Sequence, residues 1–212
     1  MPRFSYLFSE DNKSEIKKLS RQFLNVTFLI SVPCCCGIIL VADQIVEVLF
    51  GVEFLPAIST IRILSILIVL MPLSGGVFCQ LLLTAGKEKS YLACVLIGTV
   101  VNAVLNYLLI PTFTQNGAAI ASVVAEFTVS ISMIVATRRT IKVNMCCRDV
   151  FSILTSAFVM SLTLVLCRKL FFGQAVWMRL LVEIVIAVLV YFLCVFMLKN
   201  SASSKIIRMI KK

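Results

Sequence analysis

Six unbroken apolar runs, separated by short charged stretches, constrain this chain more than any other feature of its sequence. They cover residues 23–41, 63–83, 91–110, 117–137, 150–166 and 180–198. Each is about 17–21 residues long, which at roughly 1.5 Å per helical residue suits a hydrocarbon core of roughly 30 Å. Lipid supplies no water to satisfy peptide groups, so each crossing segment must close its own hydrogen bonds as a helix. The alternation of a membrane barrel strand is absent from these runs. The predicted fold is therefore all-α, a polytopic membrane helix bundle of about six transmembrane helices. No Gly/Ser linker divides it. The chain reads as an N-terminal cytoplasmic segment (1–22), a six-span bundle (23–198) and a basic cytoplasmic tail (199–212).

Composition agrees with lipid as the solvent. Hydrophobic residues make up 60% of the chain and charged residues 14%, against roughly 45–50% and about 25% in soluble domains. The formal charge of +10 would by itself suit nucleic acid, but the cations cluster between and after the apolar runs instead of forming one basic face. Nucleic acid is not an expected partner. Counted by alternate loops, 16 of the 20 Lys and Arg lie in the N-terminal segment, the loops after the second and fourth spans, and the tail. The other four are Arg62, Arg168, Lys169 and Arg179. Cations are retained on the inner face of a membrane, so both termini are predicted to be cytoplasmic.

The nine cysteines do not read as disulfides or a metal centre. Cys34, Cys35, Cys36, Cys79, Cys94 and Cys194 lie inside apolar runs, and Cys167 ends another. Cys146 and Cys147 are adjacent, lack CxxC spacing, and have no histidine in the chain to complete a zinc site. No small-residue cleavage motif follows the first run, so a removable signal peptide is not expected. No nucleophile elbow, Walker A sequence, HExxH or dinucleotide fingerprint is present, so neither enzymatic chemistry nor a cofactor is expected.

The loops carry two further expectations. Ile45, Val48, Leu49 and Val52 recur at helical spacing between the first two spans, which suggests either a short interfacial helix or, because of Gly51 and Pro56, an irregular loop. Phe171, Phe172 and Trp177 suit a headgroup-level aromatic belt.

Polar groups at membrane depth cost free energy unless they meet a partner or water, so they mark either a transport path or structural glue. Glu126, near the middle of the fourth span, shares a small and polar stripe with Ala119, Ser122 and Ser130. It reads either as a proton-linked or substrate-facing group or as a structural carboxyl. Asn102 and Asn106 share one face of the third span with Gly98, and amides so placed bond across helices or face a cavity. Gly117, Ala121 and Ala125 permit close packing. Pro72, Gly75 and Gly76 interrupt the second span, which ends with Gln80 and Thr84, and Pro33 with Gly37 interrupts the first; broken helices often line transport pathways. Glu126, Asn102, Asn106 and Gln80 are thus the candidate path residues. Glu183 is expected to pair with Arg179 one turn earlier.

Four stretches carry a family resemblance. They are VADQIVEVLFGVEFLPA (41–57) with IRILS from Ile61, MPRFS at the start with Pro33 after its basic loop, LTAGKEK from Leu83, and 102–125 with its Asn-x-x-x-Asn, Ile-Pro and Asn-Gly-Ala-Ala-Ile-Ala steps. Together they resemble bacterial polysaccharide (O-antigen, Wzx-like) flippases of the multidrug/oligosaccharidyl-lipid/polysaccharide superfamily. The likeness covers roughly residues 1–140. It implies a bacterial inner-membrane protein that turns undecaprenyl-diphosphate-linked oligosaccharide units outward for O-antigen, capsule or other surface polysaccharide. Family members have many more helices, so the chain looks like a C-terminal portion whose partner is a missing N-terminal lobe or a second copy. Basic cavity residues meet the diphosphate in such proteins, and the spans here hold no internal Lys or Arg. Two other readings compete: a nonfunctional remnant or structural membrane subunit, and a small homodimeric multidrug-type exporter.

Overall fold

The computed structural model describes residues 6–8, 10, 12–138, 141, 143, 146–170, 175–198, 200 and 201. Among them five helices are long and apolar enough to cross a bilayer: α1 (Lys13–Leu49), α2 (Ala57–Thr84), α3 (Glu88–Arg138), α4 (Cys147–Leu170) and α5 (Val176–Met197). No strand occurs among the described residues. The expected all-α membrane bundle is therefore present, and the difference between five helices and six spans lies in α3.

At 51 residues, a straight α3 would measure about 76 Å, more than twice the hydrocarbon thickness. It is not straight. Pro111 lacks an N–H to continue the helical ladder, and Thr114 stands at φ 49° and ψ −125°, a non-helical conformation that usually takes glycine. A Cβ added to Gly117 would lie 2.4 Å from the Leu109 carbonyl oxygen, and one added to Gly98 would lie 2.1 Å from Val129 Cγ2. Residues eight apart on a straight helix are separated by about 12 Å, so the chain doubles back here and α3 is an antiparallel hairpin. Its two arms are the expected third and fourth spans. The small residues Gly98, Gly117, Ala121 and Ala125 are buried where the arms meet.

The first connection differs from expectation. Ile45, Val48 and Leu49 belong to the last turns of α1, which runs on to Leu49 without a separate interfacial helix. Nothing between Val41 and Leu49 breaks a helix, so the ladder continues until Gly51. At φ 88° that residue turns its N–H onto Val46 O at 3.1 Å and closes the helix end. At its other end α1 starts at Lys13, within the stretch expected to be a cytoplasmic segment. Asn12 Oδ1 accepts the Glu15 N–H at 3.2 Å, a side-chain cap that satisfies one of the free donors of the first turn. Phe171, Phe172 and most of the basic tail lie outside the described residues, whereas Trp177 is exposed.

The chain forms two compact units. The first comprises Met1–Thr27 and Ile66–Met145, the second Phe28–Ser65 and Cys146–Lys212. In the second, Ile153, Ala157, Met160 and Leu164 of α4 meet Ala187, Tyr191 and Val195 of α5 and Leu29 of α1 in one apolar cluster. The spacings of three, four and seven residues place each set on a single helix face. Tyr191 satisfies its hydroxyl by donating to Leu29 O at 2.8 Å. Leu154, Phe158, Leu181, Val185 and Leu189 are exposed on α4 and α5, a distribution that water would penalise and lipid does not.

Candidate functional site

In the first unit the middle of α2, Pro72–Phe78, is wound as a π-helix. The sequence explains it. Pro72 cannot donate and its ring crowds the preceding turn, and Gly75 with Gly76 leaves the backbone loose. Both glycines have open space around a would-be Cβ, so no close approach demands them, and backbone freedom is what they supply. Widened helical turns of this kind recur at functional sites.

Ser74 of this segment is buried, and its hydroxyl reaches the Glu126 carboxylate on the second arm of α3. The same hydroxyl lies 3.2 Å from Leu70 O and 3.3 Å from Met71 O. Around this pair opens a cleft of about 470 Å³, lined by Ser74 and Gly75 of α2, Tyr91, Thr99 and Asn102 of the first arm of α3, and Ser122 and Glu126 of the second. Among the described residues Glu126 is its only acidic or basic lining residue. The cleft can therefore hold water, hydroxyl-rich groups or a cation, and among the described residues no lining side chain can neutralise a phosphate.

The structure thus brings Glu126 and Asn102 to one cleft. Asn106 donates to Asn102 Oδ1 at 2.9 Å and fixes that amide from the next turn, without lining the cleft itself. Gln80 stands half-buried on α2 away from the cleft, with its carbonyl taken by the Thr84 hydroxyl at 2.7 Å. The residue missed from sequence is Ser74. Its signal was a lone hydroxyl between Pro72 and the glycine pair in an otherwise apolar run.

The second unit contains a different feature, an apolar groove of about 340 Å³. Pro33 and Gly37 of α1 form one wall, Met160 and Leu164 of α4 and Ala187 and Tyr191 of α5 the others. The missing side chain at Gly37 contributes room, because a Cβ there meets nothing within 4 Å. In the same unit Glu183, only 1% exposed, accepts from Arg179 at 2.9 Å and from Gln44 at 2.8 Å. Arg168 pairs with Asp43 and donates to Leu40 O at 3.1 Å. The expected Arg179–Glu183 pair forms. Arg179 stands one residue before the expected sixth span, in the first turn of α5, where its side chain is 15% exposed.

The lipid II flippase MurJ family matches residues 1–186 of the chain. Among solved structures, a lipid II flippase MurJ in an inward closed conformation superposes with a TM-score of 0.73 at 14% identity, over 99% of this chain and 42% of that one. The chain thus spans less than half the length of that flippase. No curated protein matches the sequence.

Proposed function

The chain belongs to the lipid II flippase MurJ family, and on that premise we propose that it is part of a transporter that turns a polyprenyl-diphosphate-linked glycan from the inner to the outer leaflet. Membership supports reading it as part of a lipid-linked flippase, a transporter and not an enzyme. Between the possible cargoes, the family match favours a peptidoglycan precursor of the lipid II type over the O-antigen or capsule unit that the sequence resemblance implied. The two cargoes share the lipid diphosphate and differ in the glycan. The observation that carries the reading is the apolar groove of the second unit, whose walls are aliphatic and aromatic and whose one hydroxyl, on Tyr191, is already spent on Leu29 O. Such a groove accepts a hydrocarbon chain and rejects a sugar. In the first unit the cleft around Glu126, Asn102 and Ser122 offers hydroxyl and amide groups suited to water or glycan.

The helices beyond this chain's share of the fold are supplied in this reading by a partner lobe or a second copy. The diphosphate then meets cations outside the cleft, which has none among the described residues. The 16-to-4 distribution of Lys and Arg supports both termini on the cytoplasmic side of the inner membrane. A topology reporter fused after Ser201 is expected to be active in the cytoplasm, and a periplasmic signal would reverse the assignment.

Cargo binding is tested on the full chain in lipid nanodiscs with a fluorescent polyprenyl diphosphate. Gly37→Phe fills the groove without meeting another atom at the Cβ position. It is expected to weaken binding by about tenfold or more, as loss of several buried methylenes at about 0.8 kcal/mol each requires. Equal binding by wild type and variant would remove the groove from the function.

A further inference from the structure

We propose that Glu126 is the proton-binding site of the carrier, and that its protonation state is read directly by the π-helical segment of α2. The purpose of such a site rests on the transport reading above; its chemistry rests on the Ser74–Glu126 contact alone.

A serine hydroxyl has one proton to give. Ser74 has three acceptors within reach: Glu126 Oε1 on α3, and Leu70 O at 3.2 Å and Met71 O at 3.3 Å on its own helix. When Glu126 is a carboxylate, the Ser74 O–H is drawn to it, since a charged acceptor makes the stronger bond. When Glu126 takes up a proton, one O–H bond forms on the carboxyl and no other covalent bond changes. The acid then donates to Ser74 Oγ, and the Ser74 proton turns to Leu70 O or Met71 O. Proton binding therefore moves a hydrogen-bond donor from the contact between helices onto the carbonyls at the head of Pro72–Phe78. That is the stretch where a proline and two unobstructed glycines leave α2 able to change its winding.

The driving force is solvation. A carboxylate at membrane depth is tolerated only against water or a partner, and among the described residues no lysine, arginine or second acid lines the cleft. From the first arm of α3 the facing titratable group is Tyr91, whose phenol lies against the Cys79 thiol of α2. From α2 the facing polar side chain is Ser74, and the second arm of α3 adds Ser122. The Ser74 hydroxyl is therefore the partner that the structure gives the Glu126 carboxyl in either form.

The test is infrared difference titration of the full chain in nanodiscs without cargo, following the C=O band of a protonated carboxyl from mildly alkaline to mildly acid pH. The wild type is expected to show a titrating band that is lost in Glu126→Gln, an isosteric change, and displaced in Ser74→Ala, where the acid has lost its acceptor. A band unchanged by Glu126→Gln, or a Glu126 that stays in one protonation state across the range, would overturn the proposal. Because no cargo is present, a failed polyprenyl-diphosphate binding assay leaves the titration standing, and a flat titration leaves the cargo reading standing.

Discussion

Gly117→Ala is expected to destabilise the protein by about 3 kcal/mol, as forced overpacking against a rigid neighbour does. The new methyl would sit 2.4 Å from Leu109 O, 2.6 Å from Leu109 C and 3.0 Å from Ile110 N. All three are main-chain atoms of the opposing arm of the α3 hairpin, so no side chain can rotate away and the corner itself must open. That corner already holds Thr114 at a positive φ, which leaves little further room for distortion. Gly98 makes a useful contrast. Its added methyl would meet the side-chain tip Val129 Cγ2 at 2.1 Å, and valine in a helix has few other rotamers to adopt. The single change Gly98→Ala is costly, and the double change with Val129→Ala recovers much of the loss. Reversible unfolding in mixed micelles, followed by circular dichroism, reads both effects. A wild-type midpoint for Gly117→Ala would mean that the arms are not packed backbone to backbone.

The second large effect concerns the ion pair of the other unit. Arg179→Met leaves Glu183, 1% exposed, with the Gln44 amide as its remaining donor. Removing one member of a buried pair typically costs about 3–5 kcal/mol, because the other charge stays desolvated without compensation. The expected loss lies at the lower end, since Gln44 still donates. Arg179→Met combined with Glu183→Met is expected to recover all but about 1 kcal/mol, the residue being the Gln44 amide left without its acceptor. If the double variant is no more stable than the single one, the loss does not come from a Glu183 charge left without its Arg179 partner. The same unfolding measurement decides it.

The differences between sequence and structure have a common origin. Helices run beyond the expected spans where polar residues continue the ladder, as at Lys13–Gln22 before the first span and at Asp43–Leu49 after it. Hydropathy marks where lipid begins, and helical hydrogen bonding does not stop there. The Arg179–Glu183 contact was legible because the partners are four residues apart on one helix. The Gln44–Glu183 bond, across 139 residues, and the Ser74–Glu126 contact, across 52, were not.

Sequence alone settled the solvent and the architecture. Transfer into lipid is nearly additive over contiguous residues, so runs of apolar side chains could be read one after another as spans, and the hairpin in α3 changes only how two of them are joined. It also marked Glu126 and Asn102 as polar groups with a cost to recover. Tertiary structure alone decided which groups share a cavity: it set Ser74 against Glu126, left Gln80 aside, and hollowed the groove beside Gly37. Those outcomes depend on helix rotation and on contacts between distant residues, and a linear pattern carries the direction of a side chain only relative to its own helix.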